Sequence, residues 1–332
     1  MTGWGYKELD GFLFNITNIT NIDTIVNSIK SHHHHHQQQL KSINAITKQH
    51  WQSLPSHFYT TNHSTYHQPN QLKKTKMAKT IAFLGATGGC GLSALRRAVA
   101  AGHTCIALCR TPSKLAAQFP DRPANLHLRE GNAHDVASVA ACLSHPSDPA
   151  RLVDAVNFSL GGVMNMAKLT LDDPDVCKKG IAALLDAIAA VRAERANDDN
   201  GSSINSSSWR PLLAVVSTTG ISQHGRDVPL LFVPFYYYAL HVPHEDKRVA
   251  EKSLFESGER VVAVRPSLLV DGEKPDKPIR VHVEGPGGIE RKEVGYFISR
   301  DDVGRWMFDN LLQKADDGGA AQYEGKAVGL TW

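Results

Sequence analysis

The stretch that most constrains the fold is residues 82–98, AFLGATGGCGLSALRRA. Gly85, Gly88 and Gly91 stand at even spacing between two unlike segments. Before them, Thr80-Ile81-Ala82-Phe83-Leu84 is short, apolar and rich in strand formers, which predicts a buried strand. After them, Leu92, Leu95 and Val99 recur at helical spacing up to Gly102, a helix stop. Strand, glycine turn and helix in that order make an anion site. The N–H groups at the helix start point outward, and the helix dipole favours a pyrophosphate there. In that reading Gly85 permits the tight turn, Gly88 lets phosphates approach the backbone, and Gly91 lets the helix pack on the strand. The spacing is G-x-x-G-x-x-G, not the commoner G-x-G-x-x-G. A second register, Gly89-x-Gly91-x-x-Ala94, starts away from the strand end and is set aside. A glycine triplet alone would read equally well as a turn without a ligand. Its place between strand and helix favours a dinucleotide.

From Lys79 onward strands and helices alternate. Strands are predicted at Thr104–Cys109, Leu126–Arg129, Leu152–Phe158, Leu212–Ser217 and Val261–Val264, with a late edge strand at Ala327–Thr331. Between them, Val136–Leu143 and Val176–Ala196 read as helices, the second with apolar positions at Ile181, Leu184, Leu185 and Ile188. The insertion at 197–208 reads as a polar surface loop. Strands separated by helices imply an α/β fold, a doubly wound parallel sheet covered on both faces. A single domain of this kind accounts for residues 77–332.

Residues 1–76 differ in kind. They contain the NITNITNID echo, HHHHHQQQ and TTNHSTYHQPNQ, a composition too polar to offset chain entropy, so a disordered tail is expected. His32–His36 read as a low-complexity tract and not as a metal site. The tail lacks a secretory apolar core, and its lack of arginine argues against a mitochondrial transit peptide. It carries a net +4, which leaves the remainder at −1 with no footprint for nucleic acid. Cys90, Cys105, Cys109, Cys142 and Cys177 form no C-x-x-C pair, so neither zinc nor a disulfide framework is indicated. A reducing, cytoplasmic setting fits, with no membrane partner.

After the second strand, where an NAD-binding domain would carry an acid for the ribose hydroxyls, this chain has Arg110-Thr111-Pro112-Ser113-Lys114. Arginine offers a fork of donors to a 2′-phosphate, and Lys114 and Ser113 add to it. NADP is therefore expected ahead of NAD.

With GATGGCG after the first strand, Arg110 after the second and RPSLL (265–269) after the sixth, the chain resembles the short-chain dehydrogenase/reductase superfamily. It is most similar to the atypical branch of NmrA-like and flavin- or biliverdin-reductase-like NAD(P)-binding proteins. A weaker likeness is to fungal oxidoreductases of polyketide pathways. The likeness spans 77–332. It implies that Gly85, Thr87, Gly88, Gly89, Cys90 and Gly91 surround the pyrophosphate, and that Arg110 holds the 2′-phosphate. It further implies Asn132 beside adenine, and Phe158, Ser159 and Leu160 along the ribose or nicotinamide. Ser217-Thr218-Thr219 would end the fifth strand where the family has its active-site Ser or Thr, with Thr219 the best match. Lys247 resembles the lysine that grips the nicotinamide ribose. Pro266, Leu268 and Leu269 would bracket the nicotinamide face.

The family's catalytic tyrosine, four residues before that lysine, is replaced by Pro243. Pro243 with Glu245 and Asp246 reads as a helix N-terminus, proline in first position. Upstream, PLLFVPFYYYALHVP (229–243) reads as a pocket lining, a subunit contact or an ordinary packed lid. His244 stands three residues before Lys247 and is the best available proton donor, since an ordinary imidazole titrates near ~6.5. Tyr238 and His241 are nearby, but Pro243 is read as breaking the helical register, so their direction does not follow. Ser299 to Asp302 reads as a capping box. The expectation is an NADPH-dependent oxidoreductase passing hydride to a small carbonyl, quinone or flavin-like acceptor, bound by about 223–245 and 271–298. The alternative is an NADP-binding sensor without turnover.

Overall fold

The computed structural model describes residues 77–332 except 163, 166–169, 199–208, 234, 235, 237–239 and 316–317. The tail read at 1–76, the body of the polar insertion and Tyr238 therefore lie outside the described residues.

In chain order the first elements are β1 (Thr80–Leu84), α1 (Gly89–Ala100), β2 (Thr104–Cys109), α2 (Pro112–Ala116) and β3 (Leu126–Glu130). Next come α3 (Val136–Ala140), β4 (Ser144–His145), β5 (Asp148–Leu152), β6 (Ala155–Phe158), β7 (Met164–Asn165) and β8 (Thr170–Leu171). Then follow α4 (Val176–Asp198), β9 (Leu212–Val216), α5 (His241–Glu256), β10 (Arg260–Pro266) and β11 (Leu268–Val270). The last are β12 (Arg280–Gly285), β13 (Gly288–Arg291), β14 (Phe297–Ser299), α6 (Arg300–Asn310) and β15 (Lys326–Thr331).

The central sheet has the order β13-β12-β15-β10-β9-β6-β1-β2-β3. From β3 through β15 every pairing is parallel, and the β3-β2-β1-β6-β9-β10 core is the doubly wound order with its switch between β1 and β6. Helices cover both faces, so the inner strands are apolar throughout and do not alternate. Side chains at successive strand positions point to opposite faces. Ile81 and Phe83 of β1 accordingly enter one core, with Ala94, Leu95 and Ala98 of α1 and Val303, Trp306 and Met307 of α6. Ala82 and Leu84 enter the other, with Ile181 and Leu184 of α4 and Ala250 and Leu254 of α5.

Three local expectations are corrected. The strand expected at Ala327–Thr331 is internal, because β12 pairs antiparallel with it and β13 pairs antiparallel with β12. Its Val328 and Leu330 are fully buried, which an edge would not require. The strand expected at Leu152–Phe158 divides: β5 turns back on β4, and only β6 joins the sheet. The helix expected at Val136–Leu143 ends at Ala140, its N-terminus capped by Asp135 accepting from the Ser138 N–H.

Candidate functional site

A cleft of about 480 Å³ opens at the carboxyl ends of β1, β2, β3 and β6, where the strand order reverses. In open α/β sheets this is the ligand-binding edge. The glycine loop forms its floor. Gly85 has φ +88°, and a Cβ there would lie 2.7 Å from the Ser159 carbonyl carbon and oxygen. A Cβ on Gly91 would lie 2.5 Å from the Gly85 carbonyl oxygen, so this glycine lets α1 close on β1. Gly88 is the opposite case: nothing lies within 4 Å of where its Cβ would be. It is the N-cap of α1, and its open face lines the cleft. That open space over a helix N-terminus fits the phosphates of a dinucleotide.

The other expected residues divide by where the strands point them. Thr87, Arg110, Lys114, Asn132, Ser159 and Leu160 all line the cleft. Arg110 and Lys114 are exposed, and neither has a carboxylate partner among the described residues. Asn132 accepts from the His134 N–H at 3.1 Å and lines the cleft. Gly89 adopts φ +57° at the first position of α1. Phe158 does not join them. It is fully buried in the core under α4, against Gly180, so it backs the cleft without facing it. Cys90 turns its thiol inward, and burial pushes that thiol up to about 12. Only its backbone is available to a phosphate.

Next to the cleft, Lys247 extends from α5 to the sheet. Its ammonium donates to the carbonyl oxygens of Val216, at 2.6 Å, and Leu160, at 3.3 Å. It thus bridges the ends of β9 and β6. The neighbouring Asp246 is buried and accepts from the backbone N–H groups of Cys177 and Lys178, at 2.9 and 2.8 Å. It therefore caps α4, a role that its place in the sequence beside Pro243 did not suggest.

Thr219 is buried where the chain leaves β9, with its hydroxyl 3.3 Å from the Pro266 carbonyl and 3.4 Å from the Tyr236 hydroxyl. Pro266 is thus tied to Thr219 through its carbonyl. Ser217 is buried, and its hydroxyl has no hydrogen-bond partner among the described residues. Leu268 and Leu269 lie on β11, partly exposed. Tyr236 was missed by sequence reasoning. It sits at the end of PLLFVPFY, buried, its ring 5.4 Å from that of His244. Gly220, with φ +88°, makes room for both rings: a Cβ there would lie 2.6 Å from Tyr236 and 2.8 Å from His244. Burial raises the Tyr236 pKa, so the phenol stays protonated at neutral pH.

His244 departs from expectation. The helix begins at His241, two residues earlier than predicted, and Pro243 occupies its third position. The first N–H groups of a helix have no internal acceptor, so proline there costs no hydrogen bond and leaves the register intact. His241 is exposed, whereas His244 is turned inward. Burial, helped by the charges of Arg248 and His241, pushes the His244 imidazole down to about 4. At neutral pH the ring is uncharged, so the acid titrating near neutrality that the sequence suggested is not available.

Behind Thr219 lies a buried charge network. Arg265 donates to both oxygens of Glu251, at 2.6 to 3.2 Å, and to Glu284 at 3.1 Å. Asp227 accepts from the Gly220 N–H at 2.9 Å, and burial raises its pKa. The network fixes the loop that carries Thr219 and Gly220.

A Rossmann sheet, a glycine loop with an open phosphate face and a cleft at the switch point define an NAD(P)-binding protein. The chain belongs to a family of NAD(P)H-binding proteins that includes fungal proteins named as a reductase and an oxidase. A family model described as NAD(P)H-binding matches residues 85–196. The chain is similar to a protein named "Reductase pytE" from Aspergillus terreus, 38% identical over 276 residues, which span 76% of this chain and 98% of that protein. It is also similar to a protein named "Oxidase pynE" from Aspergillus niger, 34% identical over 271 residues, 70% of this chain and 92% of that protein. A short-chain dehydrogenase/reductase of Veillonella parvula, solved in complex with NADP, shares the fold at TM-score 0.54 and 16% identity. The match covers 77% of this chain and 95% of that one. Among the described residues no helix is long and apolar enough to cross a membrane.

Proposed function

We propose that the protein is an NADPH-dependent oxidoreductase that reduces a small carbonyl, quinone or flavin-like acceptor. The observation that carries this reading is the cleft itself: an open glycine face at one end and, after β2, the cations Arg110 and Lys114, which have no carboxylate partner among the described residues. Arginine there favours a 2′-phosphate over bare ribose hydroxyls. Gly85 to Gly91 would hold the pyrophosphate, Asn132 the adenine edge, and Ser159, Leu160 and Lys247 the nicotinamide half. When bound, the reduced nicotinamide supplies a hydride. The names of the two fungal relatives both describe redox chemistry, which supports this class.

The chain's own residues then divide the work. Lys247 fixes the carbonyl ends of β6 and β9 and places a positive charge beside the cleft. Tyr236, protonated and paired with Thr219, holds the proton that His244 does not carry at neutral pH. Thr219 orients the acceptor. The reading includes a small-molecule acceptor over the lid of 223–245 and the arm of 271–298, a folded domain of 77–332, and a reducing cytoplasmic setting for five buried free thiols.

The test is consumption of NADPH by the purified chain against quinones, flavins and aldehydes, with NADPH and NADH titrated separately. Turnover with NADPH, reduced in Tyr236→Phe, supports the reading. One observation favours a second reading, an NmrA-like NADP sensor: Pro243 stands one helical turn before Lys247, where the family has its proton donor. Tight NADPH binding with no turnover on any acceptor would assign the protein to that class.

A further inference from the structure

The parallel ladder between β11 and β14 sets Val270 opposite Ser299. The next residues, Asp271 and Arg300, therefore leave the ladder side by side, and the Arg300 guanidinium donates to the Asp271 carboxylate at 2.7 Å. Arg300 opens α6, whose first turn is fixed: the Ser299 hydroxyl accepts from the Asp302 N–H at 2.9 Å. That turn lies against the start of α1. The Ser93 hydroxyl donates to the Asp301 carbonyl at 2.9 Å, and a Cβ on Gly304 would lie 2.5 Å from the Cys90 carbonyl oxygen. Arg300 is thereby carried over the glycine loop, its Cδ 3.5 Å from where a Gly89 Cβ would be. Its charge acts on the Cys90 thiol in the direction that favours the thiolate, against the larger effect of burial. So the charge reaches the first turn of α1.

We propose that Arg300 is a ligand of the dinucleotide pyrophosphate, held beside the glycine loop by Asp271 until the cofactor takes its place. The proposal rests on the cofactor-binding reading above and adds a residue that the glycine motif does not contain. Arg300 offers a planar fork of donors, which matches phosphate oxygens. Its present partner is a weak competitor. Asp271 is 89% exposed and Arg300 37% exposed, and an exposed pair of this kind contributes little stability. The rest of the segment stays anchored when the pair opens. Glu273 bonds Arg97 of α1 at 2.7 Å and lies 3.5 Å from Arg305 of α6, while the Lys274 N–H donates to Asp302 at 3.3 Å. Exchange of partners therefore needs only the two side chains to move.

The experiment is fluorescence titration of the full-length chain with NADPH and, separately, NADH. Arg300→Gln is expected to weaken both cofactors by the same factor, about 10-fold or more, because both carry the pyrophosphate. Arg110→Ala would instead weaken NADPH alone. Asp271→Asn is expected to tighten both cofactors about 2- to 5-fold, and this gain is expected to vanish in the double variant with Arg300→Gln. Arg300→Lys, which keeps the charge, is expected to recover part of the loss. A loosened helix start would lower the melting temperature but would not link Asp271→Asn to Arg300. If wild type binds NADPH tightly and Arg300→Gln binds both cofactors equally well, or if Asp271→Asn acts the same with and without Arg300, the inference is overturned alone. If wild type binds neither cofactor, the underlying reading falls and takes this one with it.

Discussion

His244 makes a quantitative prediction about acid stability. Its imidazole is packed under Tyr236 and Gly220, its Nε2 has no hydrogen-bond partner among the described residues, and Arg248 and His241 lie close enough to disfavour a charge. The folded pKa is about 4, whereas an imidazole in the unfolded chain titrates near ~6.5. A depressed folded value means that the unfolded chain binds the extra proton first. The stabilising contribution is thus fully present above about pH 6.5 and is lost as pH falls toward 4. For one site, linkage gives a loss of about 2 kcal/mol between pH 7 and 5, and about 3 kcal/mol by pH 4. The assay is urea unfolding of wild type and His244→Leu at pH 5, 6, 7 and 8. Carboxylates and other histidines titrate in both proteins, so the difference between the two isolates this residue. Wild type should lose about 2 kcal/mol more than the variant on going from pH 7 to 5. An equal gap at both pH values would refute the reasoning, because it would mean that His244 can charge inside the fold at no cost.

Three further outcomes are expected. Arg110→Ala should cost NADPH binding on the order of 1.5–3 kcal/mol and leave NADH binding nearly unchanged, read by titration; equal affinity of wild type for the two cofactors would contradict this. Arg265→Met leaves Glu251 and Glu284 buried without their cation, and should destabilise by about 3–5 kcal/mol, seen as a fall of roughly 10 °C in melting temperature. Removal of residues 1–76 should change neither melting temperature nor cofactor affinity, because their composition offers no apolar periodicity with which to dock; loss of folding on truncation would show that a domain had been misread.

What was legible in the sequence was whatever local spacing determines. The glycine loop, each parallel strand and the cations after β2 are all read from residues close together in the chain. What was not legible depends on pairings between distant segments. β15 looked like an edge because the hairpin that covers it is formed by β12 and β13, earlier in the chain and antiparallel to it. The resemblance implies Phe158 along the ribose or nicotinamide, but β6 is buried on both faces and this side chain points into the core under α4. Its neighbour Ser159 lines the cleft instead.

His244 shows how one such gap propagates. Reading Pro243 as the first residue of α5 placed His244 at an open helix start, where an ordinary pKa is reasonable. With α5 starting at His241, the same residue falls one turn into the helix, on the face that meets Tyr236 and Gly220. The two-residue shift turns an exposed acid into a buried neutral ring. It also brings forward a tyrosine eleven positions before Lys247, away from the spacing of four that the resemblance implies. The pair Thr219–Tyr236 is assembled by the lid folding over the end of β9, and no spacing within the sequence encodes it. On the proposed function, with Lys247 on a helix and the Tyr236 phenol beside Thr219, proton transfer is tied to the position of the segment that carries Tyr236. Substitutions at Gly220, which makes room for that lid, should therefore alter turnover before they alter cofactor affinity.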